Sequence, residues 1–381
     1  MTHHIVVLGA GYAGTVAAGS LDRRLRKADA HITLVNDTPD FVERVRLHEL
    51  AVGHGQCSQP LMRVFAHTSV NIRIARVTGI DVAAKHVTVS DGTVLRYDSL
   101  VLGLGSSSAP PTAEVTGASV HSVGDREAAN RLRADLSALA HGRRVSVIGG
   151  GLTGLELASE IAESRPDLEL TLHTSNRLGI GLSDRGARHL YAALARLRVQ
   201  VREGERVNTV DAESVRTDSG TALSADLVAW TSGFAPSPVL SRSGLETHPD
   251  GRVLVHRSLR SISHPEVLVV GDSARAPGPG GEPLRMSCAS AIPMGWQASE
   301  TLVAEIRGRS AHRVPFGYVT QCVSLGRSDG VIQPVHANDA PRRLALTGKA
   351  AAVVKEQVCR GAAWAVNHPT LGLPGPTPSL R

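Results

Sequence analysis

Two glycine-rich segments of the spacing G-x-G-x-x-G constrain most strongly how this chain can fold. Each follows an apolar run typical of a strand and precedes an alanine-containing run typical of a helix, the context in which the pattern indicates a dinucleotide site. The three glycines permit a tight turn, close approach of the backbone to a pyrophosphate, and close helix–strand packing. Two such segments predict two bound dinucleotides, most often a flavin and a nicotinamide nucleotide. Their glycines are Gly9, Gly11, Gly14, Gly149, Gly151 and Gly154.

Length, composition and charge indicate a globular protein of several domains. The 381 residues exceed one ordinary core and suit two or three domains. A hydrophobic fraction of 42% and a charged fraction of 20% exclude a disordered chain. Aromatic residues make up only 3%, and no basic patch is interleaved with them, so nucleic acid is not an expected partner. The net charge of +6 leaves an acidic partner protein or an anionic membrane surface open.

The cysteines and the apolar runs bear on metal content and compartment. Cys57, Cys288, Cys322 and Cys359 form no C-x-x-C pair and no His/Cys cluster, which predicts no metal site and no disulfide framework. The sequence contains no run of about eighteen apolar residues, so no transmembrane helix is predicted. No apolar signal-peptide core follows Met1. The expected location is the cytoplasm, with peripheral attachment to a membrane left open.

The order of strand-like and helix-like runs predicts an interrupted α/β fold. Residues 1–111 are predicted to form the first part of one dinucleotide-binding domain and end in a linker rich in Ser and Pro. Residues 112–233 repeat the plan as a second dinucleotide-binding domain, and residues 234–310 return to the first domain. Residues 311–381 form the C-terminal interface domain. The predicted fold class is therefore α/β, with two Rossmann-like dinucleotide-binding domains and a small α+β C-terminal domain.

A helix is predicted in the C-terminal domain from about Gly348 to Val366. Its apolar residues recur at helical spacing, which predicts one packed stripe and not the amphipathic, basic-flanked pattern of a membrane anchor. The stripe consists of Ala351, Val354, Val358, Ala362 and Val366.

Five motifs in a fixed order resemble the two-dinucleotide flavoprotein superfamily. Besides the two glycine-rich segments they are Y-D-x-L-V-L-x-x-G-S at residues 97–106, W-x-x-G-F at residues 230–234 and V-G-D-S-A at residues 270–274. The chain is most similar to the branch that holds type II NADH:quinone oxidoreductases and apoptosis-inducing-factor-like proteins. The resemblance implies FAD at the first glycine-rich segment, NAD(P)H at the second, and a C-terminal domain that completes the flavin pocket.

The resemblance also implies individual cofactor contacts. Asp272 matches the aspartate that binds the ribityl chain of the flavin, and it can cap a helix as well. The glycines of the three other motifs, Gly105, Gly233 and Gly271, are expected beside the nucleotides.

The acidic residue that usually holds the adenosine ribose is absent from its expected position in both units. In the first unit Asn36 stands in its place, and the adjacent Asp37 is an alternative, equally well explained as a solvated turn residue. In the second unit the strand runs into Ser175 and Arg177 without a carboxylate. Such residues can hold a 2′-phosphate, which favours NADPH, although the resemblance implies NADH and Arg177 can equally be a surface residue.

Four further residues, Glu156, Lys355, Met294 and Gln297, are candidates for the chemistry. The resemblance places Glu156 towards the junction of flavin and nicotinamide, where burial is expected to raise its pKa. Glu160, one turn later, is expected to be exposed. Lys355 either stabilises the reduced flavin, alone or paired with Glu156, or is a surface lysine. Met294 and Gln297 match the region where quinone-reducing relatives line their substrate tunnel.

The expected activity is that of an FAD-dependent NAD(P)H oxidoreductase. Disulfide reductases of the superfamily carry a redox-active cysteine pair, whereas Cys57 stands alone in the first unit and the second unit has no cysteine. Electrons are therefore expected to pass directly from the flavin to a quinone or quinone-like small acceptor. Three alternatives stay open: a reductase of an acidic, ferredoxin-like carrier, a redox-sensing protein, and a tailoring flavoenzyme of a biosynthetic pathway. Assembly as a homodimer also stays open.

Overall fold

A computed structural model describes residues 2–25, 29–312 and 316–371 of the chain. Within these residues the backbone forms α-helices, short 3-10 turns and strands that are arranged in eight sheets. The helices are α1 (Tyr12–Arg24), α2 (Leu47–Leu50), α3 (Leu61–Val64), α4 (Arg126–Ala138), α5 (Leu152–Ser164), α6 (Asp184–Arg196), α7 (Cys288–Ile306) and α8 (Lys349–Asn367).

The strands fall into three stretches of the chain. The first stretch holds β1 (His3–Leu8), β2 (Ala30–Asn36), β3 (Asp40–Val42), β4 (Ser58–Pro60), β5 (Asn71–Ile74), β6 (Val77–Asp81), β7 (His86–Val89), β8 (Val94–Arg96), β9 (Ser99–Leu102) and β10 (Ser106–Ser108). The second holds β11 (Glu114–Val115), β12 (Val120–His121), β13 (Arg144–Ile148), β14 (Glu169–Thr174), β15 (Gln200–Glu203), β16 (Val207–Val210), β17 (Ser214–Thr217), β18 (Ala222–Ser224) and β19 (Leu227–Trp230). The third holds β20 (Phe234–Pro236), β21 (Val253–Leu254), β22 (Val267–Val269), β23 (Ala274–Arg275), β24 (Thr320–Ser324), β25 (Gly330–Pro334) and β26 (Leu346–Thr347).

The first large sheet is parallel and has the strand order β22-β9-β1-β2-β5. Its central strands are apolar on both faces, as expected of a parallel sheet that helices cover. Helix α1 packs closely against α7, and a Cβ at Gly295 would lie 2.5 Å from the carbonyl oxygen of Ala13. Because β22 comes from the last third of the chain, this domain is built from two separated segments.

The second large sheet repeats the architecture with the parallel order β12-β19-β13-β14-β15. It has a hydrophobic core of its own, which includes Leu157, Ile161 and Leu172. Two parallel sheets, each with a glycine-rich turn after its central strand, confirm the predicted α/β class with two Rossmann-like domains.

The two chain crossings between the large sheets lie side by side. Strand β10 leaves the first sheet, β20 returns to it, and they pair antiparallel from Ser106 with Pro236 to Ser108 with Phe234. The predicted division at residues 111 and 233 requires the chain to pass from the first domain to the second and back again, as these two strands do. The exact boundaries stay a prediction.

The C-terminal part packs a small antiparallel sheet, β24-β25-β26, against α8. Strands of this sheet also contact α5 and α6 of the second Rossmann-like domain. Among the residues that the structure describes, none of the helices combines the length and apolar character that crossing a bilayer requires.

Candidate active site

The first glycine-rich segment forms the tight turn that its sequence predicts. Gly9 has φ +89°, and a Cβ there would lie 2.3 Å from the carbonyl oxygen of Gly103. A Cβ at Gly14 would lie 1.9 Å from the carbonyl oxygen of Gly9, so any side chain would push α1 away from the turn. At Gly11, by contrast, a Cβ meets nothing within 4 Å. The middle glycine therefore faces open space directly before the first turn of α1.

The second glycine-rich segment has the same geometry. Gly149 has φ +124°, and a Cβ at Gly154 would lie 1.8 Å from the carbonyl oxygen of Gly149. A Cβ at Gly151 meets nothing within 4 Å. The two middle glycines thus leave equivalent open spaces at two helix N-termini.

These two helices differ from others of the structure in how they begin. Helices α4, α6 and α7 start with capping side chains, whereas α1, α5 and α8 have a glycine as N-cap, no side-chain cap and no acidic residue in the first turn. Unlike α8, α1 and α5 directly follow the glycine-rich turn at the end of a central parallel strand. Their first N–H groups and the positive end of the helix dipole are therefore free for an anion. Both N-termini fit the pyrophosphate of a dinucleotide.

Three segments meet at the carboxyl ends of the parallel strands of the first sheet. They are the Gly9 turn after β1, residues 103–106 after β9, and residues 270–272 after β22. Asp272 Oδ2 accepts a hydrogen bond of 2.7 Å from Ser106 Oγ, and Gly271 has φ +62°. Ligands of such sheets bind at this edge, so the place of Asp272 fits a residue that holds the flavin sugar chain.

A buried phenol adds to the fit for a flavin. Tyr12, the first residue of α1, is 7% exposed, and its Oη has no hydrogen-bond partner among the described residues. Burial raises the pKa of Tyr12 well above its usual value, so the group is a neutral donor. Its ring packs against Phe41, and an orphaned buried donor is expected where a polar ligand completes a site.

The two adjacent residues predicted to hold the adenosine ribose in the first unit make different contacts. Asn36 Oδ1 accepts a hydrogen bond of 2.9 Å from the N–H of Ala10, so Asn36 fixes the glycine-rich turn. This oxygen can accept one more hydrogen bond. The side chain of Asp37 is half exposed and lies 4.0 Å from Arg76 Nη2. Contact of either residue with a ribose stays a prediction.

Arg44 belongs to this site although nothing in the sequence pattern pointed to it. Its Nη1 lies 3.5 Å from Asp272 Oδ2 and 3.4 Å from Ser106 Oγ, and its guanidinium lies 5.7 Å from the ring centre of Phe234. It comes from the 3-10 turn that precedes α2 and reaches both crossing strands. Arg44 thus links the flavin side of the first domain to the crossing.

The structure corrects the prediction that Met294 and Gln297 contact the substrate. Gln297 is 2% exposed, and its Nε2 donates to Thr301 Oγ1 at 3.1 Å and to the carbonyl oxygen of His312 at 3.2 Å. Met294 is 1% exposed, and its Sδ accepts from the N–H of Gly271 at 3.1 Å. Both side chains hold α7 in place and neither faces open space.

Glu156 and Lys355 form an ion pair although 199 residues separate them in the chain. Both side chains are nearly buried, at 12% and 10% exposure. Glu156 Oε1 also accepts from the N–H of Ser324 at 3.2 Å, and Glu156 Oε2 lies 3.7 Å from His48 Nδ1. Of the two alternatives for Lys355, the structure therefore selects the buried pair and not the surface lysine.

The ionisation of Glu156 is the opposite of the prediction. Burial by itself raises the pKa of Glu156, but the Lys355 ammonium, His48 and the Ser324 N–H stabilise the carboxylate and hold its pKa below the usual value. Glu156 in turn raises the pKa of Lys355 against the effect of burial. At neutral pH the pair is therefore carboxylate and ammonium.

The expectation that Glu160 is exposed is wrong. Its side chain is 1% exposed, and it lies 3.3 Å from His54 Nδ1 and 3.7 Å from Arg327 Nη1. Arg327 comes from the turn between β24 and β25 and also pairs with Glu49 at 3.1 Å. Glu160 is thus buried by the contact of α5 with the C-terminal domain.

A cleft of about 490 Å³ lies at the second glycine-rich segment. It is lined by residues 149–151, the end of β14 with Arg177, and Gly233. Two lining residues were missed at the level of the sequence: Arg206, which is exposed, and Glu205, whose Oε2 is buried without a partner among the described residues. The cleft therefore offers two guanidinium groups and one orphaned carboxylate oxygen to a nucleotide.

All four cysteines are free, and three of them converge in the fold. Cys288, Cys322 and Cys359 lie within electrostatic range of one another or of Lys355, whereas Cys57 belongs to another core cluster. Burial raises the pKa of each thiol, that of Cys359 to about 12. The thiols are therefore protonated and poorly nucleophilic at neutral pH. In the described part of the chain no group of His, Cys, Asp or Glu side chains could hold a metal ion.

Comparison with known proteins agrees with this geometry. The profile of the pyridine nucleotide-disulphide oxidoreductase family matches residues 3–299. An NADH dehydrogenase-like protein of Mycobacterium tuberculosis is 30% identical over an alignment of 352 positions, gaps included, that covers 86% of each chain. A type II NADH:quinone oxidoreductase of Staphylococcus epidermidis is 27% identical over an alignment of 398 positions, gaps included, that covers 93% of each chain.

A solved structure shows the same fold. The sulfide:quinone oxidoreductase of Aquifex aeolicus superposes with a TM-score of 0.80 over 97% of this chain and 92% of its own, at 20% sequence identity. The fold, including the C-terminal part, is thus shared with that oxidoreductase.

Proposed function

Because the chain belongs to the pyridine nucleotide-disulphide oxidoreductase family, we propose that it oxidises NAD(P)H through a bound FAD and reduces a quinone-like small molecule directly. The observation that carries this proposal is the pair of uncapped helix N-termini, each facing open space over its middle glycine. Two such termini in one chain accommodate two dinucleotides at once.

The residues of the site bind and orient. The N-terminus of α1 would hold the pyrophosphate of FAD, and Asp272 with Ser106 would hold its sugar chain. The N-terminus of α5 would hold the pyrophosphate of NAD(P)H. When bound, FAD supplies the hydride-accepting and electron-donating chemistry. The chain contributes orientation of the two rings, which accounts for much of the rate in such reactions.

The Glu156–Lys355 pair would contribute fixed charge. A buried ammonium held by a carboxylate is preorganised to stabilise negative charge that develops beside it. The pair lies where α5, α8 and β24 meet, so the second Rossmann-like domain and the C-terminal part both supply it.

We expect Lys355→Met to raise the pKa of Glu156, because burial then acts on the carboxylate without the ammonium. The kcat with a saturating soluble quinone should fall about tenfold, and the acid limb of its pH profile should move upward. Steady-state rates measured across pH check this. The control is Lys349→Met, at the exposed start of the same helix, which should change neither the kcat nor its pH profile. An unchanged profile in Lys355→Met would contradict a role for the pair.

We also propose NADPH as a coenzyme at least as efficient as NADH. Arg177 and Arg206 offer a 2′-phosphate two cations against the carboxylate of Glu205 in the cleft, and no carboxylate ends β14. Arg177→Ala should lower kcat/KM for NADPH by about tenfold or more, the loss expected for a charge-assisted contact, and leave NADH nearly unaffected. Arg185→Ala, exposed and outside the cleft, is the control. A strong wild-type preference for NADH, or equal losses for both coenzymes, rejects this assignment.

No cysteine is expected to take part in turnover, because burial keeps the thiols protonated. Since Cys288, Cys322 and Cys359 converge in the fold, the informative variant replaces all three with Ser. Its rate of flavin reduction by NAD(P)H, followed by stopped flow, should stay near that of the wild type. Cys57→Ser is the matched control in another core. A large loss in the folded triple variant alone would restore a thiol mechanism.

A protein electron carrier is the second candidate acceptor, and the positive charge of the chain favours it. The net charge of +6 would attract an acidic, ferredoxin-like partner. Reduction of such a carrier should slow steeply as salt is added, whereas reduction of a neutral quinone should not. Stopped-flow oxidation of the reduced enzyme by both kinds of acceptor, at low and high salt, decides between them.

A further inference from the structure

His48 is a buried histidine that nothing in the proposed function has used. It lies on α2, its side chain is 4% exposed, and its Nδ1 lies 3.7 Å from Glu156 Oε2. Its other ring nitrogen, Nε2, is buried and has no hydrogen-bond partner among the residues that the structure describes. A buried polar atom without a partner is unfavourable and rare, so its retention calls for an explanation.

The ring of His48 is neutral at physiological pH. Burial lowers its pKa to about 4, and this outweighs the opposing effect of Glu156. The other charged groups that face it are Lys355 on α8, Glu49 on α2, and Arg327 from the turn between β24 and β25. A neutral imidazole carries one N–H, on one of its two nitrogens.

Glu156 favours one position of that proton on His48. Its carboxylate lies 3.7 Å from Nδ1, beyond hydrogen-bond distance, so it acts by charge and favours the proton on Nδ1, the nitrogen that faces it. The Nε2 atom is then an unprotonated acceptor in a buried place. The missing hydrogen-bond partner of Nε2 is therefore a donor and not another acceptor.

Helix α2 holds this acceptor in a fixed position. Arg46, two residues earlier, is 14% exposed and pairs with Glu43 at 3.2 Å, with Glu49 at 3.2 Å and with Glu356 of α8 at 3.0 Å. These contacts tie α2 to α8, the helix that carries Lys355. The imidazole cannot easily turn outward to satisfy Nε2 with solvent.

We propose that His48 is a further residue of the reaction centre, whose Nε2 accepts a hydrogen bond from an N–H group of the bound flavin or from the O–H group that forms on the electron acceptor as it is reduced. Glu156 favours the tautomer that makes this possible. The inference rests on the proposed function, because that function requires the flavin or the reduced acceptor to bind beside the Glu156–Lys355 pair.

Three substitutions separate this role from a structural one. His48→Leu removes both ring nitrogens at similar size. His48→Asn keeps a donor near the position of Nδ1 but no acceptor at the position of Nε2, and His48→Gln can present its amide oxygen there. His121, another nearly buried histidine, pairs with Asp135 elsewhere in the second Rossmann-like domain, so His121→Asn is the matched control.

The holoenzyme variants are compared by two measurements: the reduction potential of the bound flavin without any acceptor, and KM and kcat for a soluble benzoquinone. If the flavin is the donor, His48→Leu and His48→Asn shift the potential and His48→Gln restores it. If the reduced acceptor is the donor, the potential stays unchanged and kcat for the quinone falls about tenfold in the same two variants, with rescue by His48→Gln, because the O–H group exists only once the quinone is being reduced. The Asn and Gln variants decide the matter even if His48→Leu fails to fold.

Two results overturn the inference. One is a wild-type flavin potential together with a wild-type kcat for the quinone in the folded His48→Asn variant, and the other is a defect in His48→Gln as large as in His48→Asn. Failure of the proposed function looks different, since wild-type protein would then hold no flavin or would not be reduced by NAD(P)H.

Discussion

Gly11→Val is expected to yield a folded protein that contains no flavin. The backbone at Gly11 is extended, with φ −75° and ψ −172°, and a Cβ there meets nothing within 4 Å, so the chain itself tolerates valine. The isopropyl group would fill the open space before α1, where the pyrophosphate of FAD has to approach the first N–H groups. Loss of flavin should therefore occur without loss of fold.

The measurement is the ratio of flavin absorbance to protein absorbance after purification, together with circular dichroism and thermal unfolding. Gly14→Ala provides the contrast, because its Cβ would lie 1.9 Å from the carbonyl oxygen of Gly9 and should damage the fold itself. A folded Gly11→Val protein with full flavin content would show that the first glycine-rich segment does not bind FAD.

Gly151→Val is expected to separate the two cofactors. It is the equivalent change in the second segment, where a Cβ also meets nothing within 4 Å. The variant should be yellow, yet its flavin should be reduced by NAD(P)H about a hundredfold more slowly or not at all, because the coenzyme cannot be seated at the N-terminus of α5. Anaerobic stopped-flow absorbance gives the rate.

Chemical reduction by dithionite is the internal control for Gly151→Val, because it needs no coenzyme site and should proceed as in the wild type. Reduction by NAD(P)H at the wild-type rate would remove the second segment from the coenzyme site. Loss of FAD instead of loss of reduction would mean that the two segments have exchanged roles.

The sequence predicted those parts of the site that depend on local backbone geometry. Gly9, Gly14, Gly149 and Gly154 are required by turns whose dimensions follow from steric contact, and such contacts leave a fixed spacing in the chain. The order of motifs along the chain likewise anticipated the return of β22 to the first sheet.

The parts that depend on distant contacts escaped prediction. Glu156 has a lowered pKa because Lys355, 199 residues away, lies against it. The convergence of three cysteines and the burial of Glu160 likewise depend on the C-terminal part, which no local pattern places. His48 and Arg44 lie in a segment without any motif, so only their contacts reveal them.

The predicted apolar stripe on α8 was right at Ala351, Ala362 and Val366, which are buried or pack against the core, and wrong at its two valines in between. Val354 and Val358 are 38% and 46% exposed, while the face turned inward includes Lys355 and Cys359. Hydrophobic periodicity ranks valine above lysine for burial, but the ion pair with Glu156 turns Lys355 inward.

An anaerobic titration of the purified protein with NAD(P)H tests the central claim most directly. The flavin absorbance should be lost after two electrons per FAD, without a long-wavelength thiolate–flavin band, and a soluble quinone added afterwards should restore it. Uptake of four electrons per FAD, or reduced flavin that no quinone reoxidises, would contradict direct electron transfer from the flavin to a quinone-like acceptor.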